Sequence, residues 1–185
     1  DLMAKAKKPV FYTGGGVINS GPEATMLLRE LVQLTGFPIT STLMGLGAYP
    51  ASGDNWLGML GMHGTYEANM TMHDCDVMVC IGARFDDRIT GRIDAFAPNA
   101  IKIHIDIDPS SINKNVKVDL PIIGDVAHVL EDLVRIWRTS SLKADTAAMK
   151  DWWKQINTWR ARNSLAYRPN EDIIMPQYAI QRLYE

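Results

Sequence analysis

Short apolar runs alternate with stretches of helical periodicity along the chain. Pro9–Thr13 (PVFYT) is a β-rich run of strand length, followed directly by Gly14, Gly15 and Gly16. Ala24, Leu27, Leu28, Leu31 and Val32 then recur at helical spacing, with Pro22 suited to the first turn and Gly36 to the close. A second strand is predicted over 38–43 (PITSTL), ending in the glycine-rich Met44-Gly45-Leu46-Gly47, and 51–60 reads as irregular. A short helix is expected over 65–73 and a third strand over 76–82 (DVMVCIG), an apolar, β-rich run. Residues 100–105 (AIKIHI) form a fourth strand, and 110–115 a turn. Residues 118–123 (VDLPII) form a fifth strand, in which Pro121 marks an edge or a bulge. Val126, Leu130, Leu133 and Trp137 then line one face of a helix for which Asp125 is a good N-cap.

Strands that alternate with helices at short intervals predict an α/β domain with a mostly parallel sheet. Each strand-to-loop junction carries Gly, Asp, Thr or Arg. In a parallel sheet those junctions share one edge and line one crevice. Around Thr139 the character changes. Ser140, Ser141 and Lys143 read as a linker, and 145–165 as a polar helix whose Trp152 and Trp159, a heptad apart, suit docking on a surface. The expected organisation is a core over 1–138, a linker and helix packing loosely over 139–172, and the start of a further domain over 173–185. The absent initiator Met and the abrupt AIQRLYE end suggest an excised piece of something longer.

Composition narrows the classes. With 185 residues, 46% hydrophobic and 22% charged, the chain is long enough for a full core. A net charge of −2 gives no reason to expect nucleic acid or an anionic membrane as partner. No apolar run approaches bilayer length, and no signal peptide is legible. Cys75 and Cys80 lie too far apart along an extended strand for a disulfide, so two reduced thiols and a cytoplasmic setting are expected.

The candidate chemistry gathers at the strand ends. Gly14 to Gly16 fail the dinucleotide fingerprint, because position 19 is Asn19 and the second strand ends in Thr42-Leu43 rather than an acid. The loop could bring amides to a ligand or be a tight strand-to-helix turn. Arg84 and Arg88 are phosphate candidates, since a guanidinium pairs two oxygens at once; with Asp86 and Asp87 they could equally form surface ion pairs. Asp106 and Asp108 could accept from ribose hydroxyls or cap the Pro109-Ser110 turn. His63, between Gly61 and Gly64, could meet a ring or a phosphate. His73, His104 and His128 show no metal spacing, and no nucleophile–base arrangement is readable.

The segments YTGGGV, PITSTLMGLGAYP, LGMLGMHGTYEAN, DVMVCIGARFDDRITG and KIHIDIDPSSINKN followed by IIGD resemble the central domain of the acetohydroxyacid synthase (acetolactate synthase) family of thiamine-diphosphate enzymes. The resemblance implies a Rossmann-like domain of about six strands that binds FAD. Its FAD contacts fall on Gly14, Gly15, Gly16, Thr42, Leu43, Leu60, Gly61, Met62, His63 and Gly64. They continue on Gly82, Ala83, Arg84, Asp86, Arg88, Asp106, Ile107, Asp108, Gly124, Asp125 and Val126. It further implies that Arg88 faces the active-site channel and the herbicide site, with Met62 nearby. The family joins two pyruvates to acetolactate, or pyruvate to 2-oxobutyrate, with loss of carbon dioxide. Thiamine diphosphate does the chemistry, and FAD is mainly structural because no net electrons move. The activating glutamate and the Gly-Asp-Gly…Asn motif for magnesium and diphosphate are not in this stretch, and Gly124-Asp125-Val126 is no substitute. The resemblance also implies a homodimeric or tetrameric catalytic subunit with a small regulatory subunit. The alternatives are a free-standing nucleotide-binding module, or the central domain of a relative such as glyoxylate carboligase or oxalyl-CoA decarboxylase.

Overall fold

The computed structural model describes residues 1–185. In chain order the elements are α1 (Leu2–Lys5), β1 (Pro9–Thr13), α2 (Gly15–Asn19), α3 (Pro22–Thr35), β2 (Ile39–Ser41), β3 (Trp56–Met59) and α4 (Tyr66–Asp74). Then follow β4 (Val77–Ile81), α5 (Asp87–Thr90), β5 (Ile101–Asp106), β6 (Leu120–Ile123), α6 (Val126–Thr139), α7 (Thr146–Arg160) and α8 (Pro176–Tyr184). The strands form one six-stranded sheet in the order β3-β2-β1-β4-β5-β6, and every neighbouring pair is parallel. The α/β class is as the alternation predicts.

The topology follows from the handedness of crossovers. From β1 through α3 the chain moves one way to β2; from β3 through α4 it returns across the sheet to β4. Right-handed connections in opposite directions place α3 and α4 on opposite faces. β1 and β4, at the centre, are buried at every residue, which is why they read as unbroken apolar runs. Local signals set the helix ends: Pro22 opens α3, Gly36 closes it with φ 71°, and the Thr65 and Asp125 side chains cap α4 and α6. Pro121 sits on the edge strand β6, where a missing N–H costs no ladder bond.

Three expectations change. The stretch 51–60 is not wholly irregular: Trp56–Met59 adds the edge strand β3. Its residues alternate poorly in burial, and Gly58 has φ 90°, so neither period is legible. The second strand stops at Ser41, because Thr42 turns to cap a 3₁₀ turn over Leu43–Gly45. Gly15 and Gly16 are not purely loop but open α2.

The largest difference concerns α7. It does not pack loosely: Met149, Trp152, Ile156 and Trp159 are buried in the same core as the sheet. Trp152 Nε1 donates to the Pro9 carbonyl at 3.0 Å, and Trp153 Nε1 to the Gly36 carbonyl at 2.9 Å. Arg160 donates to the Trp56 carbonyl at 2.9 Å, and the Arg162 guanidinium stacks over Tyr66 at 4.2 Å. The surface on which the tryptophans dock is the chain's own, so α7 ties the start of β1, the end of α3 and the edge strand together.

At the strand ends, main chains approach more closely than side chains would allow. The Gly16 N–H donates to the Gly82 carbonyl at 3.0 Å. A Cβ on Gly14 would lie 2.3 Å from that same oxygen, whereas one on Gly15 would meet only Met44, its Cβ at 3.2 Å. Gly14 has an ordinary extended φ of −128°, so its constraint is contact alone. Gly14→Ala should therefore lower unfolding stability by about 1–3 kcal/mol, the usual cost of overpacking. Gly15→Ala should cost clearly less, because at 3.2 Å its nearest neighbour need give by only a few tenths of an ångström. Urea titration of both variants checks the order. Trp152 is 2% exposed, and Trp152→Ala should cost about 3–5 kcal/mol in the same titration. Limited proteolysis should cut 161–175 before it cuts α7.

Candidate functional site

All six parallel strands release their chains on one edge of the sheet, and the sequence candidates gather there. The loops after β1, β2 and β4 nest together. Gly14 N–H donates to the Ile81 carbonyl at 3.0 Å, Thr42 N–H to the Thr13 carbonyl at 2.9 Å, and Gly82 N–H to the Ile105 carbonyl at 2.8 Å. The amides of Gly14 and Gly16 are thus spent on the chain itself, so the glycine loop serves close packing first. On the rim, Leu43, Met44, Met62 and Ile107 stand exposed around the polar groups.

The loop 60–64 is pinned rather than loose. Asn69 holds Gly61 from both sides, its Oδ1 accepting from the Gly61 N–H at 2.8 Å and its Nδ2 donating to the Gly61 carbonyl at 3.0 Å. Met62 N–H donates to the Arg88 carbonyl at 3.0 Å, joining this loop to α5. Gly61 has φ 88°, and a Cβ there would lie 2.5 Å from the Arg88 oxygen. Leu60 and Gly61 are buried while Met62 and His63 face outward, with Gly64 between. Nothing in the sequence pattern identified Asn69 as the anchor; its only signal is an amide two turns from a glycine.

Arg84 leaves β4 two residues after Gly82 and is exposed, paired with Asp86 at 2.8 Å. Both members are roughly half or more exposed, so the pair is worth about 0–1 kcal/mol. A charge-assisted bond to an anionic ligand is worth about 1.5–3 kcal/mol, so a phosphate would draw Arg84 away from Asp86. Arg88, on α5, is also exposed. Beneath them the Ala83 carbonyl accepts from two buried side chains, His104 Nε2 at 2.7 Å and Cys80 Sγ at 3.2 Å. Burial holds the His104 imidazole below its ordinary value and pushes the Cys80 thiol up, so both stay neutral.

The carboxylates divide. Asp106 ends β5 and is 8% exposed, with one oxygen accepting from the Asp108 N–H at 2.9 Å. Asp108 caps the turn at Pro109–Ser111: its two oxygens accept from the Ser110 hydroxyl and N–H, which hold its carboxyl below the usual range. Asp125 accepts from the Ser20 hydroxyl at 2.8 Å and the Ala127 N–H at 2.9 Å, and the first of these lowers its pKa most. Asp108 and Asp125 are therefore occupied by the turns they cap. Gly124 and Val126 flank Asp125 at the β6–α6 junction, farther along the same edge.

The two thiols are free and buried, and Cys75 is pushed up to about 12, chiefly by burial. No group of three or more His, Cys, Asp or Glu is placed to hold a metal ion. No helix is long and apolar enough to cross a membrane. The rim offers two exposed cations over a fixed main chain, flanked by exposed apolar side chains. That donor set suits an anionic phosphate ester carrying an apolar ring.

Comparison with known proteins places this architecture. Residues 1–133 match the family described as thiamine pyrophosphate enzyme, central domain. The chain is 48% identical over 182 residues to the acetolactate synthase isozyme 3 large subunit of Escherichia coli, covering 98% of this chain and 31% of that protein. It is 45% identical to the acetolactate synthase large subunit of Haemophilus influenzae over 97% of this chain and 31% of that protein. Against the acetolactate synthase of Mycobacterium bovis it is 47% identical over 100% of this chain and 29% of that protein. The chain thus spans about three tenths of the length of these relatives. With the six-stranded parallel sheet, the match establishes that the chain belongs to the thiamine pyrophosphate enzymes, as a central domain of that family.

Proposed function

We propose that this chain is the central domain of an acetolactate synthase catalytic subunit and that its crevice holds FAD. The observation that carries the reading is the similarity to acetolactate synthase large subunits along nearly the whole chain, α7 included. It does not favour glyoxylate carboligase, oxalyl-CoA decarboxylase or a free-standing nucleotide-binding module. On this reading the parent enzyme condenses two pyruvates to 2-acetolactate, or pyruvate with 2-oxobutyrate, on the way to branched-chain amino acids. Thiamine diphosphate and Mg²⁺ would be bound by its other domains, supplying the carbanion chemistry. The parent would be a cytoplasmic homodimer or tetramer, with a small regulatory subunit as partner. Residues 173–185, whose Ile173, Ile174, Ile180 and Leu183 are exposed, would begin the adjoining domain.

The crevice fits FAD in its donor set. Arg84 would exchange Asp86 for the pyrophosphate, with Arg88 as the second cation. Asp106, buried at the strand end, would accept from a ribose hydroxyl. Leu43, Met44, Met62 and Ile107 would supply apolar contact to the ring system. Gly14 to Gly16, Leu60 to Gly64, Gly82-Ala83 and Gly124 to Val126 would form the main-chain walls. Asp108 and Asp125 would act through the turns they cap.

Activity and cofactor affinity test the reading separately. The purified chain should form no acetolactate from pyruvate with thiamine diphosphate, Mg²⁺ and FAD supplied; acetolactate above a protein-free control would overturn the assignment to a non-catalytic domain. In a full-length subunit carrying this sequence, Arg84→Ala should weaken FAD binding about ten- to a hundredfold, the equivalent of one charge-assisted bond. His63→Ala should weaken it less, since His63 is exposed and its imidazole lacks the paired N–H donors of a guanidinium. Flavin titration by fluorescence measures both, and an Arg84→Ala affinity equal to the parent's would remove Arg84 from the site.

A further inference from the structure

We propose that His104 is a positioning residue for the cofactor crevice: with Cys80 it grips the Ala83 carbonyl and so fixes the main chain from which Arg84 reaches the ligand. The proposal rests on the reading of Arg84 as the pyrophosphate cation.

Tyr12, Cys80 and His104 stand in one register row across β1, β4 and β5, and each is completely buried. Their immediate neighbours along these strands, Phe11 and Thr13, Val79 and Ile81, and Ile103 and Ile105, are apolar but for one threonine, so an apolar row would fill the space without burying further polar atoms. The row does something an apolar one cannot. Two of its members, Cys80 and His104, both point at a single carbonyl, Ala83, in the loop just beyond β4. A carbonyl only accepts, so His104 carries its proton on Nε2 and donates it, at 2.7 Å. Nδ1 is then left as an acceptor with no partner, and the Tyr12 hydroxyl is also unpaired. Asp106 is the one carboxylate near His104, at 3.7 Å from Nε2, beyond hydrogen-bond reach. The tautomer is therefore set by Ala83.

The residue after Arg84 is held as firmly. Phe85 has φ 55°, a conformation bulky side chains rarely adopt, yet it is only 1% exposed. Its ring meets His104 edge-on at 5.1 Å, Tyr12 at 5.5 Å and Phe96 at 6.0 Å. The strain persists because these rings enclose the side chain. Arg84 is thus clamped on both sides, by a doubly bonded carbonyl before it and a trapped ring after it, while its own side chain stays in solvent. His104 belongs to both clamps. A long cation whose backbone is fixed loses less freedom on binding than one on a mobile loop, so the clamp should appear as ligand affinity.

The test is a double-mutant cycle in the full-length subunit carrying this sequence, with FAD as the probe. His104→Leu removes the donor and keeps the bulk. It should weaken FAD binding about tenfold, the scale of one hydrogen bond. His104→Gln, whose amide can still donate to Ala83, should recover most of that loss. In an Arg84→Ala background His104→Leu should change the affinity less than about twofold, because it acts through Arg84. Full losses that multiply, or a His104→Leu affinity equal to the parent's while Arg84→Ala is weak, would overturn the positioning role. An Arg84→Ala variant that binds FAD normally would instead overturn the pyrophosphate reading beneath it. If His104→Leu does not fold by circular dichroism, Cys80→Ala replaces it in the cycle, with Cys80→Ser as its conservative partner. The same losses are then expected, and the same results would overturn the role.

Discussion

The structure depends on the close approach of three main-chain segments at the strand ends. The turns after β1, β2 and β4 nest together because Gly14, Gly16, Gly45 and Gly82 carry no Cβ. Added carbons would lie 2.3–2.8 Å from neighbouring main-chain or Ala83 atoms. Backbone cannot yield as a side-chain tip can, so the fit leaves little latitude. Two consequences follow. The central strands are brought into register at the edge where their chains leave the sheet. Amides that would otherwise reach toward a ligand are used to hold the loops to one another. The glycine loop is therefore first a packing device.

Charge at the crevice follows the same division between fixed frame and mobile contact. The carboxylates of Asp108 and Asp125 are consumed by the turns they cap, and their lowered pKa values record that engagement. Arg84 and Arg88 are exposed, and the Arg84–Asp86 pair is too solvent-screened to hold its cation against a phosphate. Beneath them lies a neutral, buried row of Tyr12, Cys80 and His104, which shapes the loop without adding charge to it. The frame is thus rigid below, while the cations above it stay free in solvent.

Helix α7 extends this frame beyond the residues matched by the family, 1–133. Its indoles donate to carbonyls at the start of β1 and the end of α3, and its last turn reaches the edge strand. Each of those carbonyls lies where a regular element begins or ends, and the one at Gly36 closes a helix, where carbonyls run out of partners within the helix. The helix thus completes the hydrogen bonding of the core as well as covering its apolar surface.

Much of this was legible in the amino-acid order. The apolar runs of β1 and β4 and the stripes of α3 and α6 determine an α/β parallel sheet, because a strand buried on both faces admits few polar residues at its centre. The caps at Thr65 and Asp125, the αL close at Gly36 and the edge position of Pro121 are equally local, each set by the chemistry of one residue. The position of Arg84 at a strand end was readable for the same reason. Only the tertiary structure decided what has no period. β3, with Gly58 at positive φ and mixed burial, is a strand because β2 offers it a partner. The role of α7 rests on carbonyls more than a hundred residues away. Asn69 anchoring Gly61, and His104 gripping Ala83, are contacts between residues that periodicity assigns to unrelated elements. Local propensity specifies elements because its causes are local; the support of a site is a matter of distance in space, which one-dimensional order does not contain.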